Sequence, residues 1–229
     1  DGGSGIDTIT YSALSDSVTF ALEKSNSLYG GNSSGNSDNN QDSLVISQTI
    51  TETIYGGKNV STTTSSSVQS ETLTNIERIH FTDKFYALDI YGNTGVAAKV
   101  IISAFGAEKL SSKMSSMLTI VDNGITTNEL CNYIFSRGLI EDEIGSSTNG
   151  SFVDHVYKNV VGIAPSSADH NTYTALLDNG THTKSSLLAL AANTTLTENL
   201  VAENSVDLIG VPGSSDGELL AIQYDIGLG

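Results

Sequence analysis

The pattern of apolar and polar residues predicts β-structure over about the first 90 residues. Apolar side chains alternate with polar ones, or gather in β-branched runs, in three candidate strands: 17–22, 44–51 and 53–55. Between them, residues 29–42 form a Gly, Asn and Ser run with almost no apolar content. A second polar tract, residues 61–70, fits either an exposed edge strand or a loop.

After this region the apolar period lengthens to that of helices, with a pause at an acidic linker, residues 141–143. A shift of 56 residues places Asp122-Asn123-Gly124 on Asp178-Asn179-Gly180. Each triplet is typical of a helix end that is followed by a Thr-rich N-cap. The sequence therefore predicts two copies of a helix-loop-helix-loop-helix unit, at about 95–140 and 151–196, which bury their apolar faces on each other.

The N-terminal residues carry the clearest chemical motif. Residues Gly2–Thr10 fit the nine-residue pattern G-G-x-G-x-D-x-U-x at every defined position. The glycines permit a tight turn with backbone carbonyls near an ion, and Asp7 supplies a carboxylate oxygen that suits calcium. The next nine residues, Tyr11–Thr19, keep an acidic and an apolar position in register but lose the glycines. The predicted calcium ligands, shared with a neighbouring turn, are Gly3, Gly5, Asp7 and Asp16.

A second motif lies at residues 71–83, E-T-L-T-N-I-E-R-I-H-F-T-D. Its apolar residues are predicted to point inward on successive rungs: Leu73, Ile76, Ile79 and Phe81. The segment resembles the L-T-N-I-E-R-[IV]-x-F-x-D stretch that closes the β-rolls of secreted bacterial RTX proteins. With the nonapeptide, this resemblance covers about residues 1–90 and implies the capped end of a calcium-binding β-roll or β-solenoid. The predicted fold class is α+β, with that domain over 1–90 and an all-α domain, including a C-terminal tail, over 91–229.

The second helical copy also resembles a known family, a helical domain of unknown function that often follows RTX repeats. Its consensus, F-V-x-x-L-Y-x-N-V-L-G-R-x-P-D, is matched at Phe152, Val153, Tyr157, Gly162 and Pro165. Residues Ala87–Gly95 resemble the leading segment of that family, A-L-D-x-x-G-N-A-G. The chain departs from the family in having Ile163 for arginine, Ser166 for aspartate and Tyr173 for tryptophan. The resemblance implies a fold and no enzymatic activity.

A second candidate calcium site lies where the β-region gives way to helix. Asp89, Gly92 and Asn93 offer a carboxylate, a carbonyl and an amide oxygen over five residues. The alternative is an Asx-turn that caps the first helix through Asn93 or Thr94. The sequence leaves both interpretations open.

Composition narrows the functional classes. Of 229 residues only 16% are charged, and the net charge is −16, which repels nucleic acid and anionic membranes and attracts divalent cations. No apolar run reaches transmembrane length, so neither nucleic-acid binding nor membrane insertion is expected. The single cysteine, Cys131, lies in an apolar run and is predicted to be a buried structural thiol.

No catalytic constellation is apparent, and we expect the protein not to be an enzyme. Residues Gly31–Gly35 match G-x-S-x-G but lack the strand and helix that a nucleophile elbow requires. The four histidines have no metal-binding spacing.

The interrupted repeat leads to the functional hypothesis. A β-roll binds each ion between turns, so one intact turn is half a site. Its partner is expected in an upstream part of the same polypeptide or in another copy of the protein, and a start in mid-pattern at Asp1 predicts a fragment or processed product. We therefore predict an extracellular or cell-surface structural protein that assembles head to tail with calcium into a surface layer, sheath or filament. The alternatives are the C-terminal secretion or anchoring module of a larger exported RTX enzyme, and an adhesin.

Overall fold

The computed structural model describes residues 2–23, 43–54, 63–208 and 220–225. Over these residues the fold is mixed α+β, which confirms the predicted class at that level. The chain divides into two compact units, Asp1–Lys84 with Asp207–Leu219 and Phe85–Val206 with Leu220–Gly229. The division therefore falls after Lys84 rather than at residue 90, and Asp89 belongs with the helices. The polar run at 29–42 and the G-x-S-x-G match lie outside the described residues.

Five strands lie in the first unit: β1 (Thr8–Thr10), β2 (Val18–Glu23), β3 (Ser43–Ile54), β4 (Thr63–Leu73) and β5 (Arg78–His80). β2, β3 and β4 form an antiparallel sheet in that order, with Leu44 opposite Leu73. Leu44, Ile46 and Leu73 are buried, whereas residues 66–71 of β4 are exposed. The polar tract is thus a strand, and its alternative as a loop is wrong for residues 63–70.

The predicted roll is not confirmed, because the described strands form no closed barrel or solenoid. Among the described pairings of the first five strands, the pair of β1 with β5 is the parallel one, and Ile9 lies opposite Ile79 in it. The prediction that Tyr11–Thr19 form a second, degenerate turn is wrong, since Ser15–Ser17 form a 3-10 helix and β2 begins at Val18. Without glycines this segment cannot repeat the tight turn.

Eight helices lie in the second unit: α1 (Asn93–Phe105), α2 (Leu110–Val121), α3 (Thr127–Ser136), α4 (Leu139–Ile144), α5 (Asn149–Val161), α6 (Ser167–Asp178), α7 (Lys184–Ala192) and α8 (Thr195–Glu203). A short 3-10 helix, Ala107–Lys109, joins α1 to α2. Strands β6 (Phe85–Ala87) and β8 (Leu220–Tyr224) pair antiparallel in the same unit, and β7 is Val206–Asp207. The predicted all-α domain therefore also contains strands, because the apolar C-terminal segment pairs with β6.

Two sets of four helices follow the 56-residue spacing. α1 and α5 begin and end 56 positions apart, and three further helices follow each of them in the same order. Asn93 donates from Nδ2 to Asp122 Oδ1 at 3.0 Å, and Asn149 donates in the same way to Asp178 at 2.8 Å. Each set has four helices where the sequence predicts three, because the supposed acidic linker 141–143 lies within α4.

The core of this unit surrounds α1. Ten residues of α1 are buried, among them Ile101, Ile102 and Phe105, and the helix contacts α2, α3, α5, α7 and α8. Burial of this helix on all sides explains why it lacks a polar face. Cys131 is also fully buried, as predicted, and burial raises the pKa of its thiol to about 12. The thiol is therefore protonated and unreactive at neutral pH.

Both Asp-Asn-Gly triplets end helices, as predicted. Gly124 follows α2 with φ 85° and Gly180 follows α6 with φ 75°, conformations that favour glycine. Thr126 and Thr183 then cap α3 and α7 through their side-chain oxygens. These caps satisfy backbone N–H groups that a helix start leaves without partners.

We expect Thr126→Ala to raise the pKa of Glu129. The Thr126 backbone N–H and hydroxyl donate to this carboxylate at 2.9 and 2.7 Å and hold its pKa below the ordinary value. A pKa lowered by folding stabilises the protein above the ordinary pKa, and that stabilisation disappears as pH falls through the lowered value. The difference in stability between wild type and variant should therefore shrink in acid. Carboxyl NMR titration and thermal unfolding as a function of pH measure both effects.

Thr183→Ala is the matched control. The side chain that accepts from the Thr183 backbone N–H is that of Ser186, which carries no charge. The loss of stability in Thr183→Ala should not depend on pH over the carboxylate range. An unchanged pKa for Glu129 in Thr126→Ala would contradict the prediction.

Candidate metal centre

The nonapeptide turn is stacked directly on the second motif. The parallel register of β1 and β5 brings Asp7 beside Glu77, each of which precedes its strand by one residue. The Asp7 carbonyl accepts from the backbone N–H groups of Glu77 at 3.1 Å and Arg78 at 3.0 Å. Asp7 N–H donates to Glu77 Oε2 at 2.8 Å. The L-T-N-I-E segment is therefore the parallel neighbour of the G-G-x-G-x-D turn, and below we call these two paired turns the rungs.

The glycines of the motif serve the turn itself. Gly3 and Gly5 have φ values of 83° and 121°, in the region that favours glycine. At the matching place in the second rung, Asn75 has φ 53°, which asparagine tolerates better than most residues. Gly2 donates to the Thr74 carbonyl at 3.0 Å, and a Cβ at Gly2 would overlap the carbonyl oxygen of Asn75. The close approach of the two turns explains why residue 2 is a glycine.

The Asp7 carboxylate is the chemically unusual group of the turn. Its Oδ2 atom is buried and has no hydrogen-bond partner among the described residues. A buried carboxylate oxygen without a donor is costly, and most such atoms in folded proteins are paired with a donor or a cation. The orphaned oxygen therefore fits a bound cation.

The structure describes three of the four predicted ligands within one turn, and their role as calcium ligands stays a prediction. Gly3, Gly5 and Asp7 belong to one turn. Asp16 does not join them as the equivalent residue of a second rung, because it lies exposed in the 3-10 helix. That helix is instead held by Asp83, which accepts from Ser15 N at 2.7 Å and Ser15 Oγ at 2.8 Å. The Ser15 backbone N–H is the main reason that the pKa of Asp83 is lowered.

Glu77 is a candidate site residue that the sequence pattern did not identify, since the segment was interpreted only as a cap. The signal was present in the alignment of Ile6-Asp7-Thr8-Ile9 with Ile76-Glu77-Arg78-Ile79. In the described part of the chain, no group of three or more His, Cys, Asp or Glu side chains is placed to hold a metal. The two stacked turns carry two carboxylates, those of Asp7 and Glu77.

Polar side chains next to the rungs have shifted pKa values. Tyr11 donates its hydroxyl to Glu71 at 2.9 Å, and burial together with this carboxylate raises the pKa of Tyr11 well above its ordinary value. Burial and the neighbouring Arg78 lower the pKa of His80. His80 is therefore neutral at physiological pH.

The second candidate site has the geometry of a helix cap. Asp89 accepts from the Thr94 hydroxyl and from Thr94 N–H at 3.4 Å, and its carbonyl accepts from Gly92 N–H at 2.7 Å. Asn93 directs its amide to Asp122 instead. These contacts favour the capping interpretation, with Asp89 as the acceptor rather than Asn93 or Thr94. The proposal of Asp89, Gly92 and Asn93 as calcium ligands stays a prediction.

Comparisons with protein-family models, with curated proteins and with solved structures found no match. The RTX resemblance therefore depends on the two motifs and on their stacking, and it stays a prediction. Among the residues with a described conformation, no helix is both long enough and apolar enough to cross a bilayer.

Proposed function

We propose that the protein is a calcium-dependent structural protein that assembles head to tail outside the cell. The observation that carries the proposal is the buried, unpartnered Oδ2 atom of Asp7 at the start of two stacked rungs. A calcium ion would satisfy this oxygen and would draw its other ligands from carbonyls of the turn that contains Gly3 and Gly5. Calcium is preferred because every donor is a hard oxygen, and neither histidine nor cysteine takes part.

Assembly follows from the number of ligands. Calcium takes six to eight oxygens, and the two rungs supply the carboxylates of Asp7 and Glu77 only. Among the described strands, β1 is at the end of its sheet, so its outer edge can pair with a further rung. A second copy of the protein would provide that rung and complete the coordination. The net charge of −16 opposes assembly, and bound calcium would reduce this repulsion.

The open edge of β1 also supports a second candidate function. An upstream part of the same polypeptide could supply the missing rung, which would make this chain the secretion or anchoring module of a larger exported protein. The mass of the native polypeptide distinguishes the two. A mature chain near 24.0 kDa favours self-assembly, and a much larger chain favours the module.

We also propose that the two four-helix sets are duplicates of one ancestral unit. The matched Asn93–Asp122 and Asn149–Asp178 hydrogen bonds support this, because a chance similarity would not repeat a contact as well as a spacing. The two sets pack on each other: α5 lies along α1, and α7 contacts α3.

Calcium titration tests the proposed function. We expect heat of binding in isothermal titration calorimetry, with Kd on the order of 10⁻⁴ to 10⁻³ M, as in other extracellular calcium modules. Sedimentation velocity in millimolar calcium should show species larger than the monomer that disappear with excess EGTA. Magnesium at the same concentration is the control and should not substitute, because it demands tighter octahedral geometry. Identical sedimentation with calcium and with EGTA would contradict the proposal.

A further inference from the structure

Helix α6 differs from its equivalent in the first set, α2, in how little of it is buried. None of the side chains of α6 is buried, whereas α2 buries five. A shift of 56 residues places those five positions of α2 on Ser166, His170, Tyr173, Thr174 and Leu177. Three of these residues are polar where α2 has leucine or methionine. α6 therefore lacks much of the apolar stripe that holds a helix on a core.

α6 also has packing neighbours on fewer sides than α2. α2 packs against α1 and against strand β8, whereas α6 packs mainly against α5. Leu176 and Leu177 of α6 reach the core, but both are only partly buried. The linkers before and after the helix, residues 162–164 and 179–181, are exposed. The rest of the unit therefore holds α6 mainly along one side.

The packing beside α6 includes unfilled space. A cavity of about 180 Å³ is lined by Tyr173 of α6 and by apolar side chains of α5 and α7. The α5 side chains in this lining include Phe152, Val156 and Val160, which are buried. Atoms beside a void lose the van der Waals contacts that close packing would give them. α6 therefore gains less from its position on α5 than a closely packed helix would.

The hydroxyl of Thr174 opposes the position that α6 takes in the structure. Thr174 stands where α2 has Leu118, which is buried. The Thr174 Oγ1 atom is itself buried and has no hydrogen-bond partner among the described residues. A hydroxyl that is removed from water without a partner destabilises the arrangement that buries it. Movement of α6 away from α5 would hydrate this hydroxyl and remove the cost.

Polar side-chain contacts help to hold α6 on α5. His170 Nδ1 lies 2.5 Å from Asp154 Oδ1, and both side chains are accessible to water. Tyr157 of α5 donates its hydroxyl to Asp169 Oδ2 at 3.2 Å. Polar contacts that water can reach contribute little to stability, because water competes for both partners. These contacts can therefore break and form again while the core stays intact.

We propose that α6 is a lid, which opens from α5 while the other helices of the unit stay folded. Opening brings the cavity-lining side of α5 to the surface. The exposed linkers at 162–164 and 179–181 act as hinges, where backbone angles can change without disturbing buried side chains. Regions with few buried apolar contacts open locally in this way. The lid gives the unit two states that differ in apolar surface, and it does not depend on the proposed calcium-linked assembly.

Native-state hydrogen exchange followed by NMR tests the lid, with α2 as the reference within the same molecule. After correction for intrinsic rates, amides 172–177 of α6 should exchange at least roughly tenfold faster than the equivalent amides 116–121 of α2. Low concentrations of urea should hardly change the α6 rates, because a local opening exposes little surface, and should accelerate exchange in α2. Equal protection of the two helices, or equal urea dependence, would overturn the inference.

Two variants should move the lid in opposite directions. Thr174→Val keeps the shape of the side chain and removes the unpartnered hydroxyl, so exchange in α6 should slow by roughly three- to tenfold. Asp154→Ala removes the contact with His170, so exchange in α6 should become faster. Thr172→Val is the matched control, since it makes the same replacement at an exposed position of α6 and should not slow exchange. Unchanged exchange of α6 in both Thr174→Val and Asp154→Ala would also overturn the inference.

Discussion

Replacing Asp7 by asparagine is expected to abolish most of the stabilisation that calcium gives the protein. The substitution keeps the shape of the side chain but removes the charge and one strong oxygen ligand from the stacked rungs. At calcium about a hundredfold above Kd, a single site stabilises the folded state by about 2.7 kcal/mol. Thermal unfolding followed by circular dichroism, with calcium and with EGTA, measures how much of this gain the variant retains.

The stability of Asp7→Asn relative to wild type is expected to change in opposite directions with calcium and without it. Without calcium, Asp7→Asn should be no less stable than wild type, because it removes the charge of a carboxylate whose Oδ2 is buried without a partner. Asp16→Asn makes the same change of charge at an exposed position and should respond to calcium as wild type does. A calcium response that survives in Asp7→Asn and is lost in Asp16→Asn would overturn the assignment of the site.

Phe105→Ala is expected to destabilise the helical unit by about 3–5 kcal/mol, the usual cost of truncating a buried phenylalanine. The ring is buried at the end of α1, against which helices of both sets pack. Its loss leaves a cavity and removes the surface that Lys113 covers. Urea unfolding monitored by far-UV circular dichroism gives the change in free energy.

Val161→Ala provides the comparison at the equivalent position of the second set. Because Val161 is partly exposed, the same truncation should cost less than about 1 kcal/mol there. Similar losses at both positions would mean that the two sets are packed equally well there.

The helical half of the fold could be predicted in outline because its signals are local. The Asp-Asn-Gly triplets and the threonines after them act within one turn of chain, and both helix ends lie where these residues put them. The fourth helix of the first set was missed because Glu141, Asp142 and Glu143 look like a solvated linker. In the structure these three residues belong to a short helix that buries one side chain, that of Ile140.

The β-half was predicted less well because its pairing is decided over long distances. Alternation of apolar and polar residues identifies a strand, but it does not distinguish a parallel from an antiparallel neighbour. Residues 18–73 contain the antiparallel sheet, and the rung that pairs with β1 comes only after it. Local pattern therefore identified both motifs, while the contact between Asp7 and Glu77 required knowledge of the pairing.

The separation of the two stacked turns has a consequence for how the protein matures. Asp7 and Glu77 are 70 residues apart in the chain, so their contact closes a long loop. The loss of chain entropy on closing this loop opposes the pairing of the two turns. During synthesis the first turn is complete long before its companion exists. The proposed ion-binding centre would consequently form late in folding, after a stage of synthesis at which the two turns cannot yet pair.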